Sequence, residues 1–200
     1  MENYAQKMTL ILEGASNAPS VLLHSCCGPC STSVLASLVP KARVTVFFYN
    51  PNVTDKAEYD LRLSAQRQVA TSQDFAEKVK LIEGEYDPEN FLAASRGMEG
   101  EKEGGARCER CFYLRLKRTA LLAKAHGYDY FTTTLTVSPH KNAELINRIG
   151  QAVASEVGVP FLPSDFKKKD GYLTSIRLSK KLNLYRQGYC GCEFSKPSLT

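Results

Sequence analysis

Short apolar runs alternate with helix-forming segments along most of this chain, and this alternation constrains its fold more than any other feature. Runs rich in β-branched and aromatic residues predict strands at 21–24, 44–49, 79–82 and 128–132. The predicted helices lie between and after these strands, at 31–38, 54–71, 109–126 and 141–157, and a further short helix starts at 87–89. Strands that alternate with helices form parallel βαβ units. The sequence therefore predicts an α/β fold, with a parallel sheet in a three-layer sandwich.

The chain has 200 residues, which is the length of one ordinary domain. We expect a single domain over 1–200 with three special parts. Residues 1–20 read as an N-terminal extension, 97–107 as a mobile glycine-rich loop, and 164–200 as a basic C-terminal segment that is irregular or short-helical. Neither a signal peptide nor a membrane-spanning run is evident, so we expect a cytoplasmic protein with no membrane partner.

Seven cysteines fall into three tight groups along the chain: Cys26-Cys27-Gly-Pro-Cys30, Cys108-Glu-Arg-Cys111 and Cys190-Gly-Cys192. An odd number of cysteines cannot all pair, and a cytoplasmic protein keeps its thiols reduced. Isolated structural cysteines do not usually cluster in this way. The grouping therefore indicates metal binding or redox chemistry rather than a disulfide scaffold.

The spacing within each group favours a different role. Cys108 and Cys111 are three residues apart at a predicted helix start, so both thiols can face one metal centre. Adjacent cysteines usually point in different directions, and we expect Cys26 and Cys27 to suit two neighbouring metal atoms better than one tetrahedral zinc. A disulfide between Cys190 and Cys192 would close a small, strained ring, which favours a redox-active dithiol.

Two other interpretations of the cysteines remain open at this point. Four or more thiolates also build structural zinc sites, which would suit a zinc-stabilised RNA-binding domain. Cys27-Gly-Pro-Cys30 follows a predicted strand and opens a predicted helix, as a thiol–disulfide oxidoreductase motif does. That second interpretation leaves the remaining cysteines unexplained.

Positive charge is concentrated beside the cysteines. The net charge of the whole chain is +5, but residues 107–118 and 166–186 are strongly basic and also contain aromatic side chains. Neutralising a phosphate backbone and stacking on bases needs this mixture. A solvated, lysine-rich helix face is the alternative. The basic stretches therefore allow a nucleic-acid partner without requiring one.

Taken together, these segments resemble the QueH family of epoxyqueuosine reductases, the cobalamin-independent type. The blocks that carry the resemblance occur in the same order along most of the chain. They are LLHSCCGPC (22–30), FFYNPNV (47–53), EYDLRL (58–63), ARCERCFYLRLKRTA (106–120), YFTTTLTVSPHKN (130–142), SDFKKKDGY (164–172) and LYRQGYCGCEFS (184–195).

The resemblance implies a Rossmann-like (HUP-type) fold and a defined reaction. The family reduces the epoxide of epoxyqueuosine at the tRNA wobble position, which is the last step of queuosine biosynthesis. It carries a [4Fe–4S] cluster and an adjacent iron. By motif, Cys26, Cys27, Cys108 and Cys111 match the cluster ligands, and Cys190 and Cys192 match the redox-active pair. We place Cys30 near the second iron.

The remaining assignments rest on position in the sequence. Proton-donor candidates close to the cysteine motifs are His24, Asp165 and Tyr189. Tyr49 and Asn50 end the second predicted strand, where they line the pocket or serve the core and turn. No nucleotide-binding glycine motif follows a strand, so we expect an external electron donor. The candidates for contact with tRNA phosphates are Arg107, Arg110, Lys167, Lys168 and Arg186.

Overall fold

The structure is a computed structural model and describes residues 2–196. Met1 and residues 197–200, which belong to the predicted N-terminal extension and basic C-terminal segment, lie outside the described residues.

A four-stranded, fully parallel sheet forms the centre of the protein. Its strands are β1 (Ser20–Ser25), β2 (Arg43–Phe48), β3 (Val79–Glu83) and β4 (Tyr130–Thr133), in the order β3-β2-β1-β4. Each strand coincides within about two residues with a predicted apolar run, and the parallel pairing confirms the α/β prediction.

Helices connect and cover these strands. They are α1 (Tyr4–Glu13), α2 (Gly28–Leu38), α3 (Lys56–Ala70), α4 (Pro88–Ser95), α5 (Ala106–Ala125), α6 (Ala143–Val157) and α7 (Gly171–Lys181), with short 3-10 helices at Thr134–Val137 and Glu193–Ser195. Asp55 caps α3 by accepting hydrogen bonds from the backbone N–H groups of Ala57 and Glu58. Residues 96–105 contain turns but no helix or strand.

The two faces of the sheet bury two separate apolar clusters. Val21 and Leu23 on β1 pack with α1, α2 and α7 on one face. Leu22, between them, packs on the opposite face with α5 and α6. Because side chains alternate along a strand, one short apolar run supplies both clusters. The result is the expected three-layer sandwich.

The two ends of the chain are more integrated than the sequence suggested. Met8 and Leu12 of α1 lie in the first cluster, although residues 1–20 read as an extension. The C-terminal segment, expected to be irregular or short-helical, contains the eleven-residue helix α7 and adds Phe166 and Leu184 to the same cluster. Within residues 2–196, no helix is both long and apolar enough to cross a bilayer.

The parallel sheet places the first cysteine group at the carboxyl ends of its strands. β1 ends at Ser25, directly before Cys26, and α2 begins at Gly28. Neighbouring β4 ends at Thr133, and the Thr134 hydroxyl accepts a hydrogen bond from the Cys26 N–H at 3.1 Å. Ligand sites in parallel sheets form at this edge.

Candidate metal centre

Three thiols converge in the loop between β1 and α2. The Cys27 Sγ lies 2.7 Å from the Cys30 Sγ and 3.9 Å from the Cys26 Sγ. Cys27 is the N-cap of α2, and its Sγ accepts a hydrogen bond from the Cys30 backbone N–H. These three sulfur atoms all lie within 4.8 Å of one another, so the strand end and the helix start together build one group of possible metal ligands.

This convergence corrects the expectation that adjacent Cys26 and Cys27 diverge. The separation of 3.9 Å between the Cys26 and Cys27 sulfur atoms places both thiols within reach of one metal centre. Cys30, which the sequence left without a firm role, is part of the same group.

The three thiols do not titrate alike. Hydrogen bonds from the thiols of Cys27 and Cys30 hold the pKa of Cys26 well below its ordinary value, and Lys141 and the Thr134 hydroxyl lower it further. Burial raises the pKa of Cys27 to about 12, and that of Cys30 is also raised by its thiol neighbours. The group therefore stabilises a thiolate at Cys26, and thiolate is the form that binds metals and attacks electrophiles.

The other four cysteines meet around a neighbouring cavity of about 90 Å³. Cys108 and Cys111 line it from the first turns of α5, and Cys190 and Cys192 line it from the C-terminal segment. The structure thus confirms that Cys108 and Cys111 share one side of their helix. Burial raises the pKa of Cys111 to about 12 and also raises that of Cys192.

The two thiol groups share a wall that carries positive charge. Arg115, Lys141 and Cys190 line both the 90 Å³ cavity and a second cavity of about 610 Å³ that also contacts Cys26 and Cys30. Cys190 therefore lies between the two groups. Six of the seven cysteines line these two cavities, and the seventh, Cys27, is fully buried beside Cys26 and Cys30.

Arg115 is the most constrained cation of this wall. It is 1 % exposed, its Nε donates to the Cys111 carbonyl at 3.2 Å, and no described atom accepts a hydrogen bond from its Nη2. Burial opposes its charge, but the sulfur atoms of Cys111 and Cys190 outweigh that effect and raise its pKa. A buried, unpaired guanidinium is costly unless an anion lies nearby. Arg115 therefore reduces the cost of a thiolate at Cys111, although burial still raises the pKa of that thiol.

His24 is a satisfied interior histidine rather than a proton donor. It is fully buried; its Nε2 lies 3.0 Å from the Tyr49 carbonyl, and its Nδ1 lies 2.9 Å from the Thr133 hydroxyl. Burial lowers its pKa to about 3. The neutral ring therefore uses both nitrogen atoms to tie β1 to its two neighbouring strands, which corrects the expectation that His24 donates a proton.

Asp165 lies in a different cavity from the cysteines. It lines a cavity between α1, α2 and the segment before α7, and its Oδ1 lies 3.5 Å from the Lys167 Nζ. No cysteine lines that cavity. This position argues against Asp165 as the proton donor. Tyr189, the third candidate, lines the larger cavity together with Cys26, Cys30 and Cys190.

The predicted phosphate contacts divide by exposure. Arg107 is 2 % exposed, and its Nη1 donates to the carbonyls of Met98 and Glu99, both at 2.9 Å, so it is not available to a phosphate on the surface. Lys167 is half-buried and donates to the Lys141 carbonyl. The remaining candidates are exposed side chains: Arg110, Lys168 and Arg186.

Tyr49 and Asn50 serve the core and the turn rather than a pocket. Tyr49 is buried in the cluster under α5, stacked on Phe47. The Asn50 Nδ2 donates to the Ser25 carbonyl at 2.9 Å and thereby ties the ends of β1 and β2 together.

The sequence relates this chain to named proteins over most of its length. Residues 21–198 match the family model described as epoxyqueuosine reductase QueH. The chain is 45% identical to the epoxyqueuosine reductase QueH of Staphylococcus epidermidis, over 96% of this chain and 84% of the relative. It is 46% identical to that of Staphylococcus aureus, over 88% of this chain and 75% of the relative. The chain belongs to the epoxyqueuosine reductase QueH family.

More distant relatives with the same name include that of Thermotoga maritima, 39% identical over 88% of this chain and 90% of the relative. Membership in the QueH family agrees with the order of the cysteine-containing blocks.

The cysteines could be found from sequence, but three basic residues around them could not. Arg115, Lys141 and Arg62 all line the thiol-bearing cavities. Each lies within a block that carried the QueH resemblance, and that was the available signal. Their charge alone did not distinguish them from the exposed lysines and arginines nearby.

Proposed function

We propose that this protein reduces the epoxide of epoxyqueuosine in tRNA to the alkene of queuosine at a cysteine-ligated iron–sulfur centre. The observation that carries the proposal is the convergence of Cys26, Cys27 and Cys30 beside a cavity lined by the other four cysteines. Membership in the QueH family supplies the reaction. Since the substrate is a tRNA, we expect the protein to act in the cytoplasm.

The residues present fit a soft metal centre. Every clustered ligand atom is a thiol sulfur, and thiolates select iron–sulfur clusters or zinc over hard cations. Following the resemblance, Cys26, Cys27, Cys108 and Cys111 would hold the [4Fe–4S] cluster, with Cys30 at the adjacent iron. Cys26 and Cys108 pack against the same apolar cluster, which supports a shared role. When bound, such a centre would pass electrons one at a time to the epoxide and act as a Lewis acid for its oxygen.

The dithiol balances the reaction. Loss of the epoxide oxygen as water breaks two C–O bonds, forms one C=C bond, and consumes two electrons and two protons. Oxidation of the Cys190 and Cys192 thiols to a disulfide releases two electrons and two protons. An external dithiol or electron-carrier protein must then reduce that disulfide before the next turnover. Cys190 is well placed for this role because it lines both cavities.

Tyr189 is the proton donor in this proposal. Burial raises its pKa, so the phenol stays protonated at neutral pH. It shares the larger cavity with Cys26, Cys30 and Cys190, whereas His24 and Asp165 do not line that cavity. Its proton is replaced from the thiols of Cys190 and Cys192. Arg186, which is exposed at the same cavity, would contact a tRNA phosphate nearby.

The direct test supplies tRNA carrying epoxyqueuosine to anaerobically purified protein with dithionite and follows the nucleosides by mass spectrometry. We expect conversion to queuosine by the wild type. Cys190→Ser should keep the metal content and lose turnover, because it removes the dithiol and leaves the metal ligands. Retained turnover in Cys190→Ser, or loss of metal from it, would contradict this division of roles.

A second candidate function has one specific observation in its favour. The Sγ atoms of Cys27 and Cys30 are 2.7 Å apart, which would suit thiol–disulfide exchange. Disulfide reduction of insulin that survives in Cys108→Ala would favour this alternative. Loss of colour together with loss of activity in Cys108→Ala would favour the metal-dependent reductase.

A further inference from the structure

The Cys190–Cys192 loop has no strand partner, and a side chain of α3 holds it. The Arg62 Nη1 donates to the Cys190 carbonyl at 2.9 Å, and its Nη2 donates to the Tyr189 carbonyl at 3.1 Å. The Arg62 guanidinium also lies over the Tyr189 ring, 5.4 Å from its centroid. One side chain therefore contacts two consecutive residues of the loop.

Arg62 is itself fixed by its surroundings. Its side chain is 2 % exposed, and its Nε donates to Glu58 Oε1 at 2.7 Å. Glu58 Oε2 accepts a hydrogen bond from the Tyr185 hydroxyl at 2.5 Å, which ties the pair to the chain just before the loop. A planar guanidinium can serve these acceptors at once, and a lysine ammonium cannot.

The loop approaches Arg62 too closely for any side chain at Gly191. This residue has φ +111°, a conformation that favours glycine. A Cβ at this position would lie 2.9 Å from the Arg62 Nη1 and 2.8 Å from the Val53 Cγ2. The single residue between the two cysteines is therefore a glycine because the loop lies directly against Arg62.

We propose that Arg62 is a positioning residue that holds the Cys190–Cys192 dithiol, and Tyr189 beside it, at the thiol-lined cavities. The proposal rests on the redox role of this dithiol put forward above. Arg62 acts through the loop backbone: by fixing two consecutive carbonyls, it keeps Cys190 between the two thiol groups and Cys192 buried. Without it, the loop keeps only the longer hydrogen bond from the Asn52 Nδ2 to the Cys190 carbonyl at 3.4 Å and the packing of Cys192 against Phe91, and it leaves the cavity more readily.

The test compares Arg62→Gln and Arg62→Lys with Arg67→Gln as the matched control. Arg67 lies on the same helix but is 57 % exposed and pairs with Glu83 at the surface. The probe is iodoacetamide added to the metal-containing protein, with the alkylation rate of each cysteine resolved by mass spectrometry. We expect Cys192 to react roughly tenfold faster in Arg62→Gln and at the wild-type rate in Arg67→Gln.

Kinetics with tRNA carrying epoxyqueuosine separate positioning from general structural support. We expect Arg62→Gln to lower kcat about tenfold to a hundredfold, with KM for tRNA and metal content unchanged. Arg62→Lys should recover part of the loss, because it restores charge and one donor. An unchanged Cys192 alkylation rate in a folded Arg62→Gln protein, or a loss expressed only in KM, would overturn the proposal.

Gly191→Ala keeps the proposal testable if the Arg62 variants do not fold. It places the predicted steric conflict in the loop itself, and we expect the same rise in Cys192 alkylation. An unchanged rate there would also overturn the proposal. The alkylation assay does not require turnover. The positioning role of Arg62 can therefore be disproved in a protein that is an active reductase. It can equally be tested if the wild-type protein shows no reductase activity.

Discussion

Two thiol-bearing regions of this protein line the same cavity of about 610 Å³ but are positioned by different means. The Cys26–Cys30 loop joins a central strand to the start of α2, so main-chain hydrogen bonds of the sheet and helix fix it. The Cys190–Cys192 loop follows α7 without regular structure and depends on contacts from Arg62. The first region suits a permanent metal centre, which needs fixed ligands. The second suits a dithiol that must change between reduced and oxidised states.

The largest expected difference between the regions is in metal content. We expect Cys27→Ser to lose nearly all bound iron, because it removes the thiol between Cys26 and Cys30, whereas the serine hydroxyl can still cap α2. Cys192→Ser should keep the iron and lose turnover. Metal analysis of both variants, purified anaerobically, checks this. Equal iron loss in the two would make Cys192 a ligand and remove the distinction.

The next largest difference is in how a glycine-to-alanine substitution in each loop changes the free energy of unfolding. A Cβ at Gly28 would lie 2.6 Å from the Ala65 carbonyl oxygen, where α2 packs on α3. We expect Gly28→Ala to lower the free energy of unfolding by roughly 1–3 kcal/mol, as overpacking does. Gly188→Ala, in the C-terminal loop, meets no atom within 4 Å and serves as the control. Urea denaturation of both variants measures the two values; equal stabilities would show that Gly28 tolerates a side chain.

The first region should also respond to acid through His24. Its pKa in the folded protein is about 3, against an ordinary value of 6.5, so below pH 6.5 the unfolded chain binds a proton that the folded protein does not. The contribution of His24 to stability is therefore complete above pH 6.5 and is lost as the pH falls toward 3, by up to about 1.4 kcal/mol per pH unit.

Nuclear magnetic resonance of labelled histidine tests this directly. The His24 ring should remain neutral from pH 8 to pH 5. If the His24 ring instead titrates with a midpoint near pH 6.5, it is accessible to water and becomes a proton-donor candidate again.

The smallest expected effect concerns tRNA binding by the second region. Arg186 is exposed at the larger cavity. We expect Arg186→Ala to weaken tRNA binding a few-fold and to reduce the slope of log affinity against log salt by about one. Lys78 directly precedes β3, at the end of the sheet opposite to the cysteines, and Lys78→Ala is the control. Equal salt slopes for the two variants would remove Arg186 from the interface.

The sheet and most of its helices were predictable because their signals are local. Apolar runs such as 44–49 and the capping residue Asp55 lie within the elements that they define. Helix α7 was not clearly predictable, because the side chains that it buries include Ser175 and Ser179 rather than an apolar stripe. Small residues allow close packing against α2, but they give no hydrophobic periodicity.

For the site, the types of residue that take part could be predicted from the sequence, but the contacts between them could not. The cysteine groups could be found from spacing, but the association of Cys30 with Cys26 and Cys27 depends on how the loop turns into α2. The sequence predicted Arg107 as a phosphate contact, but its side chain is buried. Arg62 was not predicted from the sequence, and it holds a loop more than a hundred residues away. Such contacts depend on the tertiary fold, which local patterns do not encode.

The central claim is that the clustered thiols hold an iron–sulfur centre, and metal analysis combined with electron paramagnetic resonance tests it most directly. The protein is prepared without oxygen, assayed for iron, zinc and acid-labile sulfide, and reduced with dithionite. We expect a brown protein with iron and sulfide and the spectrum of a reduced cysteine-ligated cluster. A colourless protein with stoichiometric zinc, no iron and no such spectrum would contradict it.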